Sequence, residues 1–405
     1  MRLAITPLLA SLLMTLPMSG LAAKKQTASP HPAKPDASPK VETLPLAYLG
    51  QTPATSAAQP FFAPPVNDEG IQGARLGITD DNTTGQFTHQ RFALKVTRVT
   101  EEADAIIAFK ALLAEGHQHI LLDLPASLIS QLASLPESAR AFIYDIGSRD
   151  DALRAESCRA NVLHMMPSHA MLADALAQYL TKKRWKNWFL AVGPGDGDQH
   201  YAEAIRRSAK KFGARIVADK PWRYSSDDRR TPESEVPVFT QLDDYDVLIV
   251  ADESRTFGDY LPYRTWLPRP VAGTTGLIPA AWSQTHDMWG ALQLQNRFHD
   301  QAGRWMTDKD YAGWLAVRAV GEAATRARSV GFDPIKAALL NPTFSLAGFK
   351  GVPLSFRSWD HQLRQPVLLT SDRSLTATAP VEGFLHPINE LDTLGIDAAE
   401  SHCKF

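Results

Sequence analysis

The sequence predicts an α/β fold of two Rossmann-like lobes with mainly parallel sheets, and three observations predict it. Short apolar runs alternate with segments of helical periodicity from about Leu44 onward, the pattern of parallel strands joined by crossover helices. The runs are apolar throughout and end in glycine or an acid, which fits strands buried on both faces. The body from Leu44 to Phe405 is also longer than one hydrophobic core usually serves, so two cores are expected.

The elements follow in order. Leu44–Gly50 reads as a strand and Asn67–Ile78 has helical spacing. Arg91–Val99 alternates like a strand with one wet face. Thr100–Gly116 reads as a helix with Thr100 as N-cap, acids in its first turn and a glycine at its end. His119–Leu124 is strand, Ser127–Leu135 helix, Arg140–Ile146 strand, and Ser168–Leu180 a helix capped by Ser168. Trp188–Gly193, Gln199–Phe212 and Ala214–Asp219 make strand, helix and strand, and Asp246–Asp252 is a further strand. Residues 220–237 are polar and proline-bearing and read as a surface excursion. A long helix is expected from about Asp308 to Val330, and no repeat of fixed period is present.

Met1 and Arg2 precede an apolar segment, Leu3–Leu16, followed by small residues to Ala23, which reads as a secretory signal over residues 1–23. Residues 24–43 are rich in proline, lysine and small polar side chains and read as a disordered linker. The expectation is an exported, periplasmic chain with no membrane insertion. A formal net charge of -2 gives no field favouring nucleic acid. Cys158 and Cys403 are the two cysteines, and an even pair in an exported chain reads as a disulfide, with two free thiols as the alternative.

The turn AVGPGDGDQ, residues 191–199, lacks the lysine of a phosphate cradle, and its Asp196 and Asp198 would repel a phosphate. It is not phased as a dinucleotide fingerprint either. Its place matters more than its glycines, because ligands of open α/β sheets bind beyond the carboxyl ends of strands. Ser127 follows one such end, Ser148 and Arg149 a second, and Asp252, Glu253 and Ser254 a third. Helix capping is the competing explanation for each of them.

The segments LLDLPASLISQL, YDIGSRDDALR, NVLHMMPSHAMLADALAQYL, KNWFLAVGPGDGDQHYAEAIRRSAKKFGARIV and DYDVLIVAD together resemble type 1 periplasmic substrate-binding proteins, the class of the Leu/Ile/Val binders. AESCRANVLHMMPS, KRWKNWFL and LDTLGIDAAESHCKF resemble the branch associated with PQQ-dependent alcohol dehydrogenase systems. The resemblance covers nearly all of residues 44–405. It implies lobe one from residues 44–166 and 285–335 and lobe two from 167–284 and 336–390, joined by a three-crossover hinge, with the tail 391–405 tied back through Cys403 to Cys158. It also implies a small-molecule ligand held between the lobes and an ABC permease in the inner membrane as partner. Ser127 and Ser148 match places that hold a ligand carboxylate, and Glu253 the place that holds an ammonium.

Arg149, Asp150 and Asp151, and the pair Asp252 and Glu253, depart from the amino-acid binders and put ordinary branched-chain specificity in doubt. The ligand-binding set expected is Ser127, Ser148, Arg149, Asp196, Asp252 and Glu253. A sharper idea brings Asp196, Asp198, Asp252 and Glu253 onto a hard cation such as calcium or a lanthanide. TDDNTTGQ, residues 79–86, is not an EF-hand loop, because position 12 counted from Asp80 is Arg91; it reads as a helix end and turn. His117 and His119 read as turn residues rather than metal ligands, and Trp185, Trp188 and Trp222 as packing residues rather than stacking platforms.

No catalytic signature stands out, there being no GxSxG elbow and no HExxH. The expected function is therefore non-enzymatic and without cofactor: the binding protein of an ABC importer linked to PQQ-dependent alcohol oxidation. The alternative is an accessory, sensor or metal-binding partner of a quinoprotein dehydrogenase.

Overall fold

In β1 (Glu42–Gln51), Leu44, Leu46 and Tyr48 face one apolar core while Ala47 and Leu49 face another, so the strand is covered on both sides. The structure is a computed structural model and describes residues 41–52, 66–223 and 231–405. The expected signal segment lies outside the described residues, as does all of the expected linker up to residue 40. The last residues of that linker, from Glu42, already belong to β1.

The first half continues with α1 (Ile71–Thr88), β2 (Gln90–Val99), α2 (Glu102–Ala114), β3 (His119–Asp123), α3 (Ala126–Ala133), β4 (Phe142–Asp145) and β5 (Val162–His164). Its sheet is parallel, in the order β2-β1-β3-β4-β5. The second half begins with α4 (His169–Lys182), β6 (Asn187–Val192), α5 (Asp196–Phe212), β7 (Arg215–Pro221), α6 (Pro232–Phe239), β8 (Val247–Ala251), α7 (Leu261–Arg264) and β9 (Val271–Gly273). Its sheet is parallel too, in the order β7-β6-β8-β9. In β6, Trp188, Leu190 and Val192 enter one core and Phe189 and Ala191 the other, so both faces are again covered.

After β10 (Ile278–Ala280) the chain returns to the first core through α8 (Ala291–Ala302), α9 (Asp308–Ala327) and α10 (Phe332–Leu339). Short pieces follow: β11 (Leu346–Ala347), β12 (Pro353–Phe356), β13 (Leu363–Arg364), β14 (Val367–Ser371) and β15 (Ser374–Ala379). They form two small antiparallel sheets, β11-β12-β13 and β10-β14-β15. Core membership changes between Met166 and Met171, between Ala272 and Ala281, and between Leu363 and Val367.

That last change differs from the expectation that residues from 336 belong to lobe two. Leu339, Phe344, Leu346, Leu354 and Leu363 pack in the first core, because α10 lies on α9 and β11–β12 pair beneath it. The tail follows Leu394 of the second core and ends at the disulfide Cys158–Cys403, with Cα atoms 5.7 Å apart.

Three local expectations change. Helix α1 runs through TDDNTTGQ, because Asp81 pairs with Arg318 on α9 while Asp80 pairs with Arg297 and accepts from Trp314 Nε1. Glu101 rather than Thr100 is the N-cap of α2, without a side-chain cap bond. The excursion at 220–237 includes α6, whose cap Thr231 accepts from the Ser234 N–H; residues 224–230 lie outside the described residues. Ser168 does cap α4, accepting from Met171. Among the described residues no helix is long and apolar enough to cross a membrane.

Candidate functional site

Strand order places the site. In the first sheet β1 is flanked by β2 and β3, so the helices leave in opposite directions between β1 and β3 and open a crevice at their carboxyl ends. The same reversal occurs between β6 and β8. The turns after β3, β4, β6 and β8 line one cleft of about 1370 Å³ between the halves.

Ser127, Ser148, Arg149, Asp196 and Glu253 all line this cleft. Ser127 is exposed in the first turn of α3, a helix that has no acid there and no side-chain cap. Ser148 is 7 % exposed and serves its own turn: its N–H donates to Asp145 and its Oγ accepts from the Asp150 N–H. Beneath it Arg154 is buried, donating to the Ser148 carbonyl and to Gln362, which fixes the turn from below.

Arg149 crosses the cleft. Its Nη1 lies 3.3 Å from Glu253 and its Nη2 2.8 Å from Asp308 at the start of α9. His169 Nε2, at the start of α4, donates to the same Glu253 oxygen at 3.1 Å. Burial pushes the Glu253 carboxyl up, but His169 and Arg149 outweigh it and hold it down at about 2. On the opposite wall Lys309 pairs with Asp123 at 2.9 Å, and Asp123 also accepts from Tyr48 Oη. Burial pushes Glu69 up, against the pull of Lys309.

The glycine-rich turn after β6 holds a carboxylate. Asp198 is 1 % exposed and accepts from the Gly195 N–H, the Ser254 N–H and Ser254 Oγ. A Cβ at Gly193 would collide with that carboxylate, and one at Gly197 would come within 2.7 Å of Glu253. The glycines therefore let the β6 and β8 turns approach one another.

Asp252 has a different place from the rest of the expected set. It is 2 % exposed, borders a side chamber of about 200 Å³, and accepts from the N–H groups of Thr256, Phe257 and Gly258. Its oxygens fold its own loop and are not free for a ligand. With Asp198 similarly engaged, the four acids do not converge on a cation, and among the described residues no group of three or more His, Cys, Asp or Glu could hold a metal.

His119 is buried against Tyr144 Oη, Trp188 is core, and Trp222 stacks on Phe257 at 4.5 Å, so these residues pack. Sequence reasoning missed Asp123, His169, Asp308 and Lys309. Asp123 stood at a strand end and was legible there. Asp308 and Lys309 reach the cleft only because α9 folds back on the first half, which no local pattern reports.

No protein-family model and no curated protein sequence matches the chain. Solved structures do. A periplasmic binding protein from Burkholderia mallei aligns with TM-score 0.66 at 12% identity over 89% of this chain and 98% of its own. The Leu-, Ile-, Val-, Thr- and Ala-binding protein of Brucella ovis, in a closed conformation, aligns with TM-score 0.65 at 15% identity over 84% and 93%. A solute-binding protein of an ABC transporter from R. palustris, in complex with benzoate, aligns with TM-score 0.65 at 11% identity over 90% and 100%. Two doubly wound sheets facing each other across a cleft, matched at this level over most of the chain, give it the fold of the type 1 periplasmic binding proteins.

Proposed function

We infer that the chain is the receptor of an ABC importer, which traps a small molecule by closing its two halves and presents it to an inner-membrane permease. One observation carries this reading: both sheet reversals, the places where open α/β sheets bind ligands, face a single cleft lined by side chains from both halves. Closure excludes water around fixed polar groups, and no bond is made or broken. The chain works in the periplasm on this reading; among the solved proteins that share its fold, the Brucella ovis protein is an amino-acid binder and the R. palustris protein holds benzoate. The segments around Cys158 and the C-terminal end support a link to PQQ-dependent alcohol oxidation, with a quinoprotein dehydrogenase as a further partner.

The test is a thermal-shift screen of amines, amino acids, organic acids, alcohols and metal ions, followed by titration of the compound that stabilises the chain. Ser127→Ala and Glu253→Gln are expected to fold and to bind that compound more weakly. Wild-type binding by both variants overturns the site.

A further inference from the structure

The cleft is acidic beyond what its own cations neutralise. Arg149 is shared between Glu253 and Asp308, and Lys309 is taken by Asp123. Glu101, Asp150 and Asp196 line the same space from three separate turns. With Glu69 set aside because burial pushes it up, six carboxylates stand against two permanent cations among the described residues.

Helix dipoles account for part of this. Glu101, Asp196 and Asp308 sit at helix N-termini, where an acid is favourable for its own sake. The N-termini of α2, α3, α4, α5 and α9 reach the cleft and bring about half a positive charge each, which does not offset the surplus of four. The cleft keeps a negative potential when empty.

Two buried groups on its wall are unpartnered. His169 is 4 % exposed; its Nε2–H donates to Glu253, and its Nδ1 has no hydrogen-bond partner. Tyr201 is 2 % exposed and lines the side chamber that shares Arg149, Glu253 and Asp308 with the cleft, and its hydroxyl is unpartnered. Buried polar atoms without partners are uncommon and call for a ligand or water. A phenol oxygen accepts from N–H donors.

Resting on the receptor reading, we propose that the ligand of this cleft is an organic polycation: a molecule with two or more separated ammonium groups, as in a diamine, a polyamine or a basic amino acid. The dispersal of the acids favours this over a metal ion, since no three of the described acids and histidines close on one point. One ammonium meets Glu253 and Tyr201 beside Arg149, and another meets Asp150 and Asp196 at the cleft mouth.

The experiment is calorimetric titration of the full chain with spermidine, cadaverine and L-lysine, beside L-leucine, benzoate and calcium chloride. At least one amine is expected to bind and to bind more weakly as salt is raised, because the mouth is solvent-exposed. Asp150→Asn and Asp196→Asn are each expected to weaken it about threefold, the size of an exposed ion pair, and their melting temperatures without ligand are expected to stay within about 3 °C of the wild-type value. Binding of leucine or benzoate in place of every amine overturns the polycation and leaves the receptor reading standing. Calcium binding in place of the amines overturns it in favour of a metal. Binding of none of the six overturns the polycation, and the wider screen then decides the receptor reading separately.

Discussion

Arg149, from the turn after β4 in the first half, donates to Glu253, from the turn after β8 in the second, across 3.3 Å. This is a tie between the two walls of the cleft, completed by Asp308 on the far side of the guanidinium. Side chains that touch across a hinge favour its closed state without fixing it there, and they must part when it opens.

Arg149→Met removes the cation that separates Glu253 from Asp308. We expect it to raise the amide exchange of residues 148–151 and 253–256 and to destabilise the chain by about 1–2 kcal/mol, less than for a fully buried pair because both partners are 27 % exposed. Adding Glu253→Gln should restore part of the loss, since it removes one of the stranded acids. The tie also has an acid limit. Glu253 is held at about 2 against an ordinary 4.5, so its stabilisation is complete above 4.5 and is lost as pH falls from there toward 2.

Asp252→Ala tests the assignment of that carboxylate to the fold. Three N–H groups, of half-buried Thr256 and buried Phe257 and Gly258, lose their acceptor together, and a loss of about 3 kcal/mol is expected in urea unfolding. A variant as stable as wild type would return Asp252 to the list of ligand contacts.

Lys350 supplies a pH signature. It is 4 % exposed and donates to Gln365 and to the Pro366 carbonyl. Burial pushes its ammonium from the usual 10.5 down to about 7, against the pull of Asp308. Between those values the unfolded chain carries the proton and the folded chain does not, so stability rises with pH across that window. Urea midpoints from pH 7 to 10 should show the rise, and Lys350→Met should flatten it.

The strands were legible because burial on both faces leaves their centres apolar, as in Ile120–Leu122 of β3 and VLIVA of β8. The cleft was legible in part for the same reason: a polar residue directly after such a run sits at a strand end, which is how Ser127, Arg149 and Glu253 were found. Asp252 read the same way and has another role, because sequence does not tell an acid facing a ligand from one facing its own loop. Residues 336–363 read as part of the second core and pack in the first. The strands there are two to four residues long, too short for a period, and side chains such as Lys350 and Arg357 are buried although their type predicts exposure.

The disulfide is expected to act on the unfolded chain. Cys158 and Cys403 are 245 residues apart, and opening that loop by Cys403→Ser should cost about 2–4 kcal/mol. Guanidinium unfolding with and without reductant measures it, and the wild-type chain under reductant should match the variant.

Small-angle X-ray scattering, with and without each compound that raises the melting temperature, tests the hinge most directly. The account predicts a smaller radius of gyration in the bound state, and a larger one for Arg149→Met without ligand. A compound that binds at Ser127 and Glu253 yet leaves the scattering curve unchanged contradicts closure of the two halves around it.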